Sequence, residues 1–192
     1  MDAAFTEPDL AAGLDVAGHL QRVPRDAIVK GLFLQGAIHT ATRARGNPPP
    51  VAHVSKFASY PAQEAADIIA RCASHGFPKL PPREALRRVG LDAYPTLLES
   101  SAGKVLVALT GLDWSMAVDL LPKAYALAGS ARVRTVSREA GRAIIELRSL
   151  WTFVDCYHVG VFQGGMKAFG VQGTVAVRPI GPADADFELR WQ

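Results

Sequence analysis

The hydrophobic pattern divides the chain into a helix-period part and a strand-period part. Residues 9–22 are predicted to form a first helix that ends before Pro24. The apolar stretch "AIVKGLFLQGAIHTATRARG" is read as a second helix whose beginning can be extended. "GNPPP" at 46–50 interrupts the pattern, because three prolines cannot continue a helix and favour an extended chain. It is read as a loop inside one domain covering 1–192, with residues 1–8 disordered. Pro61 is placed at the first position of a third helix that runs to "HGFPKLPP", with Ile68, Ile69 and Cys72 on one side. Short helices are expected from Pro82 and from about Pro95 through Leu109. The best-marked helix starts at Asp113 and ends at Gly129, with Trp114, Val118, Leu121 and Tyr125 in one stripe. Pro122 is expected to kink or split it.

After Gly129 the period shortens. "ARVRTVSREAGRAIIELRSL" reads as two β runs around a turn at Gly141. A helix spanning 151–169 comes next, and then "TVAVRPI" and "DFELRW" alternate cleanly around "GPADAD". Helices followed by hairpins imply an α+β fold: N-terminal helices packed on a C-terminal antiparallel sheet in β-β-α-β-β order.

On a helical wheel, Tyr157, Val161, Val154, Gly165, His158, Phe169 and Phe162 share one arc of about 140°. Gly160 and Gly164 flank that arc, four residues apart, where a second backbone could approach closely. Each glycine costs about 0.5–1 kcal/mol against alanine in a helix. Three explanations stay open: tight packing around a hydrogen-bonded core histidine, a small-molecule cavity with His158 as its polar handle, or a homodimer seam. If there is a cavity, it is expected between helix 113–128, helix 151–169 and the sheet. Its ligand-binding residues would be His158, Tyr157, Trp114, Tyr125, Phe162 and Trp151, around a small apolar ligand.

Composition narrows the function classes. The 192 residues are 49% hydrophobic and carry a net charge of +3, too mild and dispersed to argue for nucleic acid. No apolar run is long enough to span a bilayer, and the acidic start "MDAAFTEPDLAAG" lacks the pattern of a secretory signal, so a cytoplasmic location is expected. Cys72 and Cys156 are expected to be reduced and structural. Cys156 and His158 lie two apart in a predicted helix, which points them to different sides. The five histidines form no HExxH, neither cysteine belongs to a CxxC, and there is no phosphate-binding glycine loop. No catalytic residue, enzyme activity or metal site is therefore expected. Arg83, Arg87 and Arg88 form a basic group, read as a solvated surface in preference to a phosphate contact.

Four stretches, "REALRRVGLDAYPTLLESSAGKVLVAL", "LLPKAYALAG", "FVDCYHVGVFQGGMKAFG" and "DADFELRW", resemble a family of unknown function expanded into many paralogues in myxobacteria. The resemblance covers about residues 9–191. Over about residues 95–191 the order of elements is also similar to the superfamily of haem-NO-binding, vinyl-reductase-type and TRAPP-like domains. That likeness implies a ligand or a protein partner between helices and sheet. Haem-NO-binding domains hold haem through a histidine on the helix before the first hairpin and through a Tyr-x-Ser-x-Arg motif. Here helix 113–128 has no histidine. Ser149 is in place, but Leu147 stands at the tyrosine position and Trp151 at the arginine position, so no haem cofactor is expected. The cysteine-rich zinc site of vinyl-reductase-type domains has no counterpart after Cys156. The resemblance thus implies a sensory or regulatory scaffold, with a dimerising TRAPP-like adaptor as the alternative.

Overall fold

The computed structural model describes residues 4–111 and 113–192. The N-terminal part comprises α1 (Val16–Gln21), β1 (Ile28–Lys30), α2 (Leu32–Arg45), β2 (Ser59–Pro61) and α3 (Ala62–Gly76). It continues with α4 (Pro82–Gly90), α5 (Ala93–Glu99), α6 (Ser101–Thr110) and α7 (Trp114–Ala128). The C-terminal part is β3 (Arg132–Glu139), β4 (Arg142–Arg148), α8 (Tyr157–Ala168), β5 (Gly173–Gly181) and β6 (Asp184–Trp191). The fold is mixed α+β, with a two-stranded antiparallel ribbon β1-β2 and a four-stranded antiparallel sheet in the order β3-β4-β6-β5. None of the described helices is long and apolar enough to cross a membrane.

Alternation decides what the sheet covers. Ala143, Ile145 and Leu147 of β4 and Ala185, Phe187 and Leu189 of β6 are fully buried, and Phe187 meets Phe162 of α8 at 5.0 Å between ring centroids. The other face of the sheet is ionic. Asp186 lies between Arg148 (2.8 Å) and Arg178 (2.6 Å), and Glu188 between Arg142 (2.8 Å) and Arg190 (3.0 Å). β3 forms one edge; it carries Arg132, Arg134 and Arg138 and breaks register at a bulge between Thr135 and Ser137.

Several expectations are corrected. The first helix begins at Val16, where Asp15 caps it by accepting from the Gly18 N–H at 2.9 Å, and not at Asp9. In the second stretch the extended beginning that was allowed for is what forms: residues 28–30 pair with β2 and the helix starts at Leu32. Pro61 is the cap of α3 and lies outside its first turn. The helix expected over 95–109 is two helices. Ser100 takes an extended backbone between them, and its hydroxyl caps α6 by accepting from the Gly103 N–H at 3.1 Å. Pro122 does not split α7, which runs unbroken past it, held by the buried stripe of Trp114, Val118, Leu121 and Tyr125. The helix expected from Trp151 starts only at Tyr157, because Ser149 and Phe153 adopt left-handed backbone (φ 58° and 57°) and the chain between them turns. Of residues 1–8, expected to be disordered, 1–3 lie outside the described residues. Thr6 bridges Val177 at the edge of β5, donating at 3.1 Å and accepting at 2.8 Å, while the Phe5 ring lies under the Arg178 guanidinium.

Candidate functional site

Helix α8 organises the site, because its two sides do different work. On one side stand the glycines. A Cβ at Gly160 would lie 2.0 Å from the Arg87 carbonyl oxygen, and one at Gly164 would lie 2.0 Å from that of Leu91. Across the contact, a Cβ at Gly90 would lie 2.1 Å from the Tyr157 carbonyl oxygen. These glycines therefore let α4 and α8 touch backbone to backbone within the chain. The surface that suggested a homodimer seam is consumed internally.

The basic group on α4 is tied into the same contact. Arg83 pairs with Asp155, just ahead of α8, and Arg87 binds Glu84 and donates to the Gln163 side chain at 2.8 Å. Arg88 also pairs with Glu84, at 2.9 Å. Arg83 and Arg87 are mostly covered, so the expected solvated face is reduced to Arg88, which is half exposed. Glu84 is held below the usual carboxylate range by its hydrogen bonds from Arg87 and Arg88, against the opposing effect of burial.

The other side of α8 borders a cavity of about 80 Å3. Tyr157, His158 and Val161 face it from α8, Leu121, Ala124 and Tyr125 from α7, Tyr94 and Leu97 from α5, Phe33 and Leu34 from α2, and Ser149–Thr152 from the connecting loop. The walls are mainly hydrocarbon, and among the described residues no arginine, lysine, aspartate or glutamate lines them. Of the residues expected to bind a ligand, the structure brings His158, Tyr157, Tyr125 and Trp151 together here. Trp114 and Phe162 lie elsewhere. The Trp114 ring fits over Gly165 between Tyr94 and Phe169, where a side chain on Gly165 would collide with it, and Phe162 is spent on the sheet. No residue of the four-stranded sheet lines the cavity, whereas Ile28 and Val29 of β1 and the Gly129–Ala131 connection do, so it lies among the helices and the small ribbon and not between helices and the four-stranded sheet.

His158 is the polar centre of this wall. Its Nδ1 is 3.0 Å from the Tyr125 hydroxyl and its Nε2 is 2.8 Å from the Thr152 hydroxyl. Burial pushes its pKa down to about 3, so the ring is neutral at physiological pH. Burial raises the Tyr125 hydroxyl well above its ordinary value, and the neighbouring Tyr94 and Tyr157 hydroxyls raise it further. Tyr94 and Tyr157 are themselves raised by burial. Cys72 and Cys156 are both free and buried, and burial pushes each thiol up to about 12.

Thr152 reaches His158 because the 149–156 loop is fastened at both ends. The Ser149 N–H donates to Asp184 at 2.8 Å and the Leu150 N–H to the Ala183 carbonyl at 2.8 Å. His19 of α1 donates from Nε2 to the Trp151 carbonyl at 2.7 Å and stacks on Phe153 at 4.6 Å. Sequence reading missed His19, since nothing local marks a contact 132 residues away. It also missed the α2 and α5 walls, although Phe33, Leu34 and Tyr94 were visible as apolar positions.

Residues 22–192 match the family described as "Protein of unknown function (DUF2378)". The chain belongs to this family. No curated protein matches this DUF2378 chain in sequence. Among solved structures, it is similar to the Fe(II) unliganded H-NOX protein from K. algicida, at 9% identity and TM-score 0.60 over 85% of this chain and 96% of that one. It is also similar to an H-NOX domain from Shewanella oneidensis in the Fe(II)CO ligation state, at 11% identity and TM-score 0.63 over 85% and 98%. A third is an oxygen-binding H-NOX domain related to soluble guanylate cyclases, at 16% identity and TM-score 0.53 over 84% and 92%. At these identities the likeness is one of fold. It bears out the distant resemblance to haem-NO-binding domains.

Proposed function

We propose that this DUF2378 chain is a sensory or regulatory module that binds a small, largely apolar molecule in the cavity beside His158, without haem and without catalysing a reaction. The observation that carries this reading is the cavity itself: apolar walls, uncharged, with a neutral histidine hydrogen-bonded at its border. Such a site would hold its ligand by apolar burial, with one or two polar groups fixing orientation. The likeness in fold to H-NOX proteins supports a sensory role by analogy only.

The residues present do not fit haem. α7 has no histidine to supply an axial ligand, and both nitrogens of His158 already have partners. Among the described residues no cation lines the cavity to meet propionates. Neither do they favour catalysis. A histidine with a pKa near 3 is a weak base at neutral pH, and thiols raised to about 12 are poor nucleophiles. The adaptor alternative loses its motive, since Gly160 and Gly164 are occupied by α4.

Native mass spectrometry of the purified chain, with thermal-shift screening against small uncharged, mostly hydrocarbon molecules that fit a cavity of about 80 Å3, tests the reading. A bound mass or a ligand-dependent rise in Tm is expected. Uniformly ligand-free protein that responds to nothing in the panel would remove it. An absorbance scan after incubation with haem is expected to show no Soret band, and a Soret band would overturn the haem-free part.

A further inference from the structure

The chemistry of the cavity wall narrows what it can accept. The Tyr125–His158–Thr152 chain contains three exchangeable protons, namely two hydroxyl hydrogens and one ring N–H, but makes only two hydrogen bonds. If Nδ1 accepts from Tyr125, the ring donates to Thr152 and the Thr152 hydrogen is left over. If Nε2 accepts from Thr152, the ring donates to Tyr125 and the Tyr125 hydrogen is left over. Either tautomer leaves one hydroxyl hydrogen without an acceptor among the described residues, and both Tyr125 and Thr152 line the cavity.

Two more hydroxyls stand nearby. Tyr94 and Tyr157 are each about 95% buried and line the same cavity, and neither hydroxyl has a hydrogen-bond partner among the described residues. The Tyr157 and Tyr125 rings both pack against His158, at 5.0 Å and 5.8 Å between ring centroids. Unpartnered buried hydroxyls are unfavourable unless something meets them. The wall offers hydrogens from several directions and no positive charge, so an anion would enter uncompensated. The volume, about 80 Å3, is below the roughly 150 Å3 of an apolar cavity that takes benzene.

We propose that the cavity takes a small uncharged molecule, mostly hydrocarbon, that presents a carbonyl-type oxygen to the hydroxyls of Tyr94 and Tyr157 and to the spare hydrogen of the Tyr125–His158–Thr152 chain. This rests on the cavity being a ligand site, and it specifies the ligand's chemical class.

The test compares cyclobutanone with methylenecyclobutane, which has the same shape but no acceptor, and with cyclobutanecarboxylate, by NMR titration of the full chain. The ketone is expected to bind roughly tenfold more tightly than the alkene. In the Tyr94→Phe/Tyr157→Phe double variant that preference is expected to shrink severalfold, because only the spare hydrogen of the Tyr125–His158–Thr152 chain remains to meet the oxygen. These substitutions break no hydrogen bond, so the fold is retained, and the wild-type comparison decides independently of them. Equal binding of ketone and alkene, tighter binding of the carboxylate, or a preference undiminished in the double variant would each overturn the proposed class while leaving the cavity as a ligand site. If none of the three probes binds and the panel of small uncharged molecules is also silent, the sensory reading falls together with it.

Discussion

The two sides of helix α8 form a contrast built from one short sequence. Towards α4, side chains are deleted at Gly90, Gly160 and Gly164 and the backbones meet with no room for a methyl group. Towards α5 and α7, the helix presents Tyr157, His158 and Val161, and these large groups leave a gap. Small residues make the tight side and bulky ones make the hollow side. A cavity here needs rigid rings that hold the walls apart, and a rigid seam behind them so that α8 cannot move in to close it.

The seam gives the largest expected effect. A Gly160→Ala chain gains helix propensity but drives a methyl group into a backbone carbonyl, so a loss of about 3 kcal/mol or more is expected in chemical denaturation. Unchanged stability would mean that the two helices can part freely, and the contrast would disappear.

On the hollow side the test is acid. His158 has an ordinary pKa of 6.5 in the unfolded chain and about 3 in the folded one. Above pH 6.5 neither state binds the proton, so the ring adds no pH dependence. As pH falls below 6.5 only the unfolded chain takes it up, and stability declines by up to about 1.4 kcal/mol per pH unit until pH approaches 3. That amounts to about 2 kcal/mol by pH 5. Equilibrium unfolding of wild type and His158→Gln across pH 5–8 checks it: the variant should lack this part of the acid decline, and parallel curves would place the proton elsewhere.

The smallest effect is expected from filling the gap. Ala124 lines the cavity from α7, and Ala124→Leu should raise stability by about 1 kcal/mol while weakening ligand binding. A clear loss of stability would show that the walls are already in contact at that point.

Much of this was legible in the chain where the signal is local. Asp113 and Gly129 bound α7 as expected, and alternation at Val175, Val177, Phe187 and Leu189 marked inner strand faces. The wheel identified the buried side of α8, yet burial alone does not name the neighbour. Phe162 therefore went to the sheet and Trp114 to Gly165, although both share a buried pattern with cavity residues. The break at Ser100 and the turn at 149–156 were not legible, because they depend on backbone angles at residues with no glycine or proline signature. The α2 and α5 walls depend on contacts between segments far apart in sequence, which periodicity does not report.

The bulged rim of β3 has a consequence for how copies of the molecule meet. A flat, uncharged border strand invites lateral stacking into fibrils, whereas this one is kinked at Val136 and studded with Arg132, Arg134 and Arg138. Two molecules approaching along this border would have to disturb the Arg134–Glu146 and Arg138–Asp119 pairs and straighten the bulge before any ladder could form. Crowding should therefore not thread this protein into β-aggregates through that border.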